Sequence, residues 1–302
     1  MTAPIVVLAG GTGGAKLARG MLDVVGEDLV VVANTGDDIE IHGGYVSPDP
    51  DLVTFWLADR VDARGWGLRD DTFEVMTALR ALGEDVWFNV GDRDLAVCLA
   101  RARRLAGGAT LTAAADALRM ALGVPARVLP MSDAPVRTRV MAGGRWSGLQ
   151  EWLIRERAAG PVEGVAFEGA AAAAPTEQVL DALATARAVV VGPSNPVISI
   201  GPILALPGMR AALRSCRAPV VAVSPLVGGR SLKGPTEEFL AWAGRPLSSD
   251  GVAAMYEGLL AGLVADESAT ALPTLATDVA MPDAAGRRRV AQAALDFALA
   301  LG

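Results

Sequence analysis

The segment Ile5-Val6-Val7-Leu8-Ala9-Gly10-Gly11-Thr12-Gly13-Gly14-Ala15-Lys16 constrains this chain most, because an unbroken apolar run enters a glycine cluster and leaves in a helical pattern. The run does not alternate with polar residues, so it suits a strand covered on both faces. Leu17, Ala18, Met21, Leu22 and Val25 then recur with the spacing of one buried helical face. Glycines at such a crossover leave no Cβ atoms between backbone and ligand, and free N–H groups at the helix start attract anions. The turn Gly10, Gly11, Thr12, Gly13, Gly14, with Lys16 just inside the helix, therefore predicts phosphate binding. It is neither of the common phosphate motifs. Lys16 stands where a dinucleotide fingerprint needs its third glycine, and Leu17 stands where a P-loop needs a hydroxyl.

Further unalternating, valine-rich runs at 29–33, 86–90, 188–191 and 220–223 predict more strands of the same kind. With helical patterns between them, the fold class is α/β: a Rossmann-like three-layer α/β/α arrangement around a mostly parallel sheet. One such helix starts after Asp71-Thr72-Phe73-Glu74, with Asp71 as its cap, and ends at Gly83. Val136, Thr138 and Val140 alternate with Arg137 and Arg139 before Gly143-Gly144 and Trp146, which reads as a β-hairpin outside the parallel sheet. We expect a single domain over 1–302, with an inserted subdomain over about 95–169 that carries this hairpin.

Composition removes several function classes. A net charge of -7 disfavours nucleic acid as a partner, and no apolar run approaches the roughly 20 residues that span a bilayer. The N-terminus lacks a charged region followed by a long apolar stretch, so the expected location is the cytoplasm. Cys98 and Cys216 sit in apolar or helical contexts far apart and are expected to be free thiols. The arginines 287–289 read as a solvated helix start.

Polar clusters fall where open α/β sheets bind ligands, at the C-terminal ends of strands. Asn34-Thr35-Gly36-Asp37-Asp38 follows the second strand, and Ser47-Pro48-Asp49-Pro50-Asp51 comes shortly after. Magnesium prefers hard oxygens and keeps several waters, so Asp37, Asp49 and Asp51 are its candidate ligands, while Asp38 and Asp49 have turn or helix capping as a rival role. Asn89-Val90-Gly91-Asp92-Arg93-Asp94 offers Arg93 for two bonds to a phosphate or carboxylate. Gly192-Pro193-Ser194-Asn195-Pro196 presents Ser194 and Asn195 on a turn stiffened by prolines, suited to a base or ribose.

Taken in order, the blocks Ala9–Gly14, Ser47–Asp51, Gly91–Asp94, Leu129-Pro130-Met131-Ser132-Asp133 and Gly192–Pro196 resemble those of the 2-phospho-L-lactate transferase family, whose members make the deazaflavin coenzyme F-420. The resemblance runs from Ile5 to about Glu267. It implies transfer of a lactyl-phosphate or enolpyruvyl-phosphate group from a guanosine diphosphate-linked donor to a hydroxyl of the deazaflavin Fo, with GMP leaving. It also implies that Asp51 and Asn89 contact the acceptor, Asn89 replacing a basic residue of some relatives, and that the turn Ser194, Asn195, Pro196 binds substrate. Asp51 is the candidate general base, with Arg93 beside it in the catalytic role and Mg2+ as cofactor. Trp66 and Trp87 are candidates either for stacking on the deazaflavin or for the core, and His42 either lines the pocket or is a turn residue. A rival reading is a non-catalytic nucleotide-sugar-binding regulatory protein similar to the gluconeogenesis-factor family. The alanine-rich composition makes a homodimer the expected assembly.

Overall fold

The computed structural model describes residues 3–232 and 234–302. Strand β1 (Ile5–Ala9) leads through helix α1 (Gly11–Val25) to β2 (Leu29–Ala33), and a small hairpin of β3 (Ile39–Ile41) and β4 (Gly44–Val46) follows. Helices α2 (Pro48–Leu57), α3 (Glu74–Ala81), α4 (Asp92–Ala106) and α5 (Leu111–Ala121) precede β5 (Arg127–Pro130). Then come β6 (Arg137–Ala142), β7 (Arg145–Gly148) and β8 (Val162–Glu168), followed by β9 (Ala188–Val191), β10 (Val220–Val223), the short pair β11 (Leu226–Val227) and β12 (Arg230–Ser231), β13 (Gly262–Ala265) and β14 (Thr274–Ala276).

Seven strands form one sheet in the order β14-β13-β10-β9-β1-β2-β5, and every ladder in it is parallel. Successive side chains of a strand point to opposite faces. Ile5, Val7, Leu29 and Val31 accordingly pack under α1, α2 and the C-terminal helix Ala284–Leu301, whereas Val6, Leu8, Val30 and Val32 pack under helices Glu177–Thr185 and Met209–Ser215. Both faces of the sheet are thus covered, which is why the strands read as apolar runs. From β1 the order proceeds through β2 to β5 on one side and through β9 to β14 on the other. The loops after β1 and β9 therefore flank the switch point where open sheets of this kind bind ligands.

The stretch expected as an insertion, about 95–169, contains β5, which is an edge strand of the main sheet. The departure from the parallel pattern is thus two excursions, one between β2 and β5 and one between β5 and β9. The second carries the expected hairpin. Gly143 and Gly144 both have positive φ, as a two-residue turn with the right-handed strand twist requires, and β8 adds a third antiparallel strand to β6. The run 86–90 is not a strand. It is a loop in which Phe88 and Val90 are buried beside Met76 and Leu95 in a small satellite core, so its apolar character serves packing and not a ladder. Cys98 and Cys216 are free, as expected. No helix among the described residues is long and apolar enough to cross a membrane.

Two helix starts are sealed in an unexpected way. Asp71 does not cap α3; its carboxylate accepts from the backbone N–H groups of Arg93 (2.8 Å) and Asp94 (3.0 Å), at the start of α4. Asp92, in turn, accepts from the N–H groups of Glu74 and Val75, both at 3.0 Å, and so seals α3. Hydrogen bonds from Thr72 and those N–H groups hold the Asp92 carboxyl below its ordinary range. A Cβ at Gly91 would collide with the Asp71 carboxylate, which explains a glycine there.

Candidate active site

The glycine turn is tied to its neighbours more than it is open. A Cβ at Gly13 would fall on the carbonyl oxygen of Pro193, and one at Gly14 would lie 2.7 Å from Ser194 Oγ. One at Gly192 would lie 3.0 Å from the Cα of Gly14. These glycines let the turns after β1 and β9 interlock at the switch point. Gly10 N–H points to Ser194 Oγ at 3.4 Å, and Gly11 N–H donates to Asp49 Oδ1 at 2.6 Å. Gly11, with φ of +62°, is the position of the turn with open space beside it, a Cβ there meeting only Ser199 Oγ at 3.6 Å. A protein carboxylate thus sits at the positive end of α1.

Asp49 belongs to the first turn of α2, whose Pro48 fixes the backbone for helix entry. Its other oxygen accepts from Asn34 Nδ2 at 2.8 Å, and the same amide donates to Asp37 Oδ1 at 3.1 Å. Asn34 Oδ1 accepts from Gly36 N–H at 2.8 Å, so the amide orientation is fixed by its own loop. One buried amide therefore holds two carboxylates, one from the loop after β2 and one from the start of α2. Burial raises both, Asp49 to about 6, while Asp37 is raised well above its ordinary value by burial and by the neighbouring charge of Asp49. Asp38 faces away from this pair: it accepts from Ser47 Oγ (2.8 Å) and Tyr45 Oη (2.9 Å), and burial pushes it up to about 7.

Asp51, one turn along α2, is clamped by a residue that the sequence reading did not single out. Arg101 of α4 donates to both Asp51 oxygens, Nη1 to Oδ2 at 3.0 Å and Nη2 to Oδ1, and Nη1 also donates to the Tyr45 carbonyl at 2.8 Å. Burial raises Asp51 while the guanidinium opposes the rise. Asp94 lies beside it, pushed up to about 7 by burial and by the charges of Asp51 and Asp71. Burial also pushes the Cys98 thiol up, so it is not a ready nucleophile.

Two clefts open onto these acids. The larger, about 490 Å³, has an aromatic lining that includes Phe55, Trp66, Trp87 and Phe88, with Asp49, Asp51 and Asn89 as polar members. The smaller, about 330 Å³, has Asp37, Arg137, Thr138 and Arg139 among its lining residues. Trp87 and Gln150 line both, so the clefts share a wall, while Asn34 joins an acid of one to an acid of the other. The hydroxyl of Thr138 is buried without a hydrogen-bond partner.

The structure thus gathers Gly10, Gly11, Asn34, Asp37, Asp49, Asp51 and Asn89 around one centre, and places Trp66 in a cleft wall and Trp87 both in that wall and against the satellite core. Two expected members, Arg93 and Lys16, lie apart, while the turn after β9 and His42 are engaged in bonds of their own. Arg93 is exposed on the first turn of α4 and lines neither cleft. Lys16 donates from Nζ to the Met281 carbonyl at 3.1 Å and rests over Trp56, so it ties the C-terminal segment to α1. In the turn after β9, Ser194 supports Gly10, Pro196 is buried, and Asn195 Oδ1 accepts from the N–H groups of Val197 and Ile198, leaving its Nδ2 as a buried donor without partner. His42, with φ of 53°, forms the β3–β4 turn with Gly43 and contacts the Phe88 carbonyl at 2.8 Å, which makes it a turn residue. The signal that could have revealed Arg101 is the triplet Leu95, Cys98, Arg101 on the buried face of α4.

Residues 5–288 match the model of the family described as 2-phospho-L-lactate transferase CofD. The chain is 39% identical over 298 residues to a phosphoenolpyruvate transferase of Kitasatospora aureofaciens, covering 91% of this chain and 93% of that one. It is 37% identical over 265 residues to a 2-phospho-L-lactate transferase of Methanosarcina mazei, covering 87% of each. Among solved structures, a Bacillus halodurans protein of the UPF0052 family shares the fold, with a TM-score of 0.62 at 15% identity over 98% of this chain and 99% of that one. With the family match spanning nearly all of the sheet and both clefts, the chain belongs to the 2-phospho-L-lactate transferase family.

Proposed function

We propose that this protein transfers a 2-phospholactyl or phosphoenolpyruvyl group from a guanosine diphosphate-linked donor to a hydroxyl of the deazaflavin Fo, releasing GMP. The observation that carries this reading is the pair of clefts with one shared wall, linked behind it by the buried Asn34 amide, which bonds Asp37 of one and Asp49 of the other. A group-transfer enzyme needs two adjacent sites that meet at the reacting atom. The aromatic cleft fits a flat heteroaromatic ring between Trp66 and Trp87, with Asn89 and Asp51 for its polar edge and side chain. The smaller cleft fits the donor, and the first turn of α1 adds N–H dipoles near the diphosphate.

Asp37 and Asp49 suit a magnesium ion. They are two hard oxygen ligands, held together by a neutral amide, and burial raises both. When bound, the ion supplies charge neutralisation at the phosphorus that is attacked. Asp51 is a poorer ligand, because both its oxygens already accept from Arg101. The chain's own residues hold the acceptor against Trp87, orient its hydroxyl toward Asp51 and exclude water by apolar walls. Phosphoryl-type transfer asks mainly for such positioning.

The test is incubation of purified protein with Fo and each donor in turn, with and without magnesium, followed by product mass and GMP release. The expected result is a metal-dependent phosphodiester from one donor. Tight nucleotide binding with no product from either donor would instead establish the regulatory, binding-only reading.

A further inference from the structure

Arg101 is the most deeply buried guanidinium among the described residues, with 1% of its surface exposed. Its fork meets both oxygens of Asp51, its third donated bond goes to the Tyr45 carbonyl on β4, and its Nε has no partner. Asp37 and Asp49, by contrast, are held by the Asn34 amide and the Gly11 N–H. The acids of the centre therefore fall into two electrostatic kinds. One pair lacks a guanidinium, and one carboxylate carries its countercharge permanently.

We infer that Arg101 is a positioning residue for the transfer: its fork holds the Asp51 side chain in one orientation at the cleft wall, to receive the acceptor's hydroxyl and not a metal ion. The inference rests on the proposed function. A carboxylate has about four lone-pair sites, and a bidentate guanidinium uses one on each oxygen, so each keeps one for substrate. The bond to the Tyr45 carbonyl fixes the guanidinium to β4, so the fork cannot follow a departing ligand. A lysine at this position would supply a point charge but grip only one oxygen, releasing the rotation of the carboxylate.

The experiment is a double-mutant cycle on turnover with Arg101→Met, Arg101→Lys and Asp51→Asn, with Mn2+ affinity of the protein alone measured in parallel. Wild-type transfer is measured first, and its absence refutes the functional reading and this inference together. Given transfer, Arg101→Met is expected to lower kcat by about 100-fold and Arg101→Lys by about 10-fold, the scale of a mispositioned proton acceptor. The double variant Asp51→Asn with Arg101→Met is expected to be no slower than Asp51→Asn alone, because Arg101 acts through Asp51. Mn2+ affinity should stay within about threefold in Arg101→Lys. If Arg101→Met does not fold, the lysine variant completes the cycle. Additive losses, wild-type kcat in Arg101→Lys, or a loss of Mn2+ affinity matching the loss of turnover would each overturn the inference.

Discussion

Replacing Gly13 by alanine tests the claim that the turns after β1 and β9 are interlocked. The new Cβ would press on the carbonyl oxygen of Pro193 about 1 Å inside the closest approach that such atoms show, with backbone on both sides of the contact. Neither party can rotate away, so the turns must separate. Overpacking of this kind costs about 1–3 kcal/mol, and the backbone-to-backbone case belongs at the upper end. For a chain this long, about 3 kcal/mol lowers the melting temperature by roughly 5 °C. The separation would also withdraw Ser194 from Gly10 and shift the entry to α1, so transfer should fall with stability. Gly11→Ala is the control: its Cβ meets only Ser199 Oγ at 3.6 Å, and the φ of +62° costs about 1 kcal/mol, or roughly 2 °C. Differential scanning calorimetry of both variants decides. A Gly13→Ala protein that melts within 1 °C of wild type and keeps full turnover refutes the interlock.

Three further outcomes are expected. Trp87→Ala should raise KM for both donor and acceptor, since the ring lines both clefts, whereas Trp66→Ala should raise it for the acceptor alone; steady-state kinetics with each substrate varied separate the two. Asp94 titrates at about 7 in the fold, above its unfolded value, so the stability it contributes is complete below about pH 4 and is lost as pH rises through 7. Denaturant midpoints at pH 5 and pH 8 should therefore converge in Asp94→Asn, by an amount on the order of 1–2 kcal/mol, and an unchanged gap would remove Asp94 from that role. Lys16→Met should lose about 1 kcal/mol of stability through the Met281 bond while leaving transfer intact; a matching loss of donor affinity would return Lys16 to the site.

The parallel scaffold was readable because β1, β2, β9 and β10 are buried on both faces and show it as plain apolar runs. The strands of the main sheet that escaped notice, β5, β13 and β14, occupy its ends and hold at most two large aliphatic residues each, too weak a signal to distinguish from loop. The run 86–90 misled for a related reason: apolar residues in a row report burial, and a satellite core under a loop buries them as well as a sheet does. The acids of the site were legible because they follow strand ends. Arg101 was not, since it shares its helix with Arg103 and Arg104 and a basic helix reads as solvated. The Gly91–Asp94 and Leu129–Asp133 blocks were read for chemistry, yet Asp92 and Asp133 spend their oxygens on backbone N–H groups, Asp133 on Thr112 at 2.7 Å.

Because Asp71, just ahead of α3, seals the start of α4, and Asp92, the first residue of α4, seals the start of α3, neither helix owns a complete beginning. An isolated peptide of either should fray, and the two should order together or not at all. The residues between the two seals, which carry Trp87 and Phe88 of the aromatic cleft, therefore form a loop closed at its base.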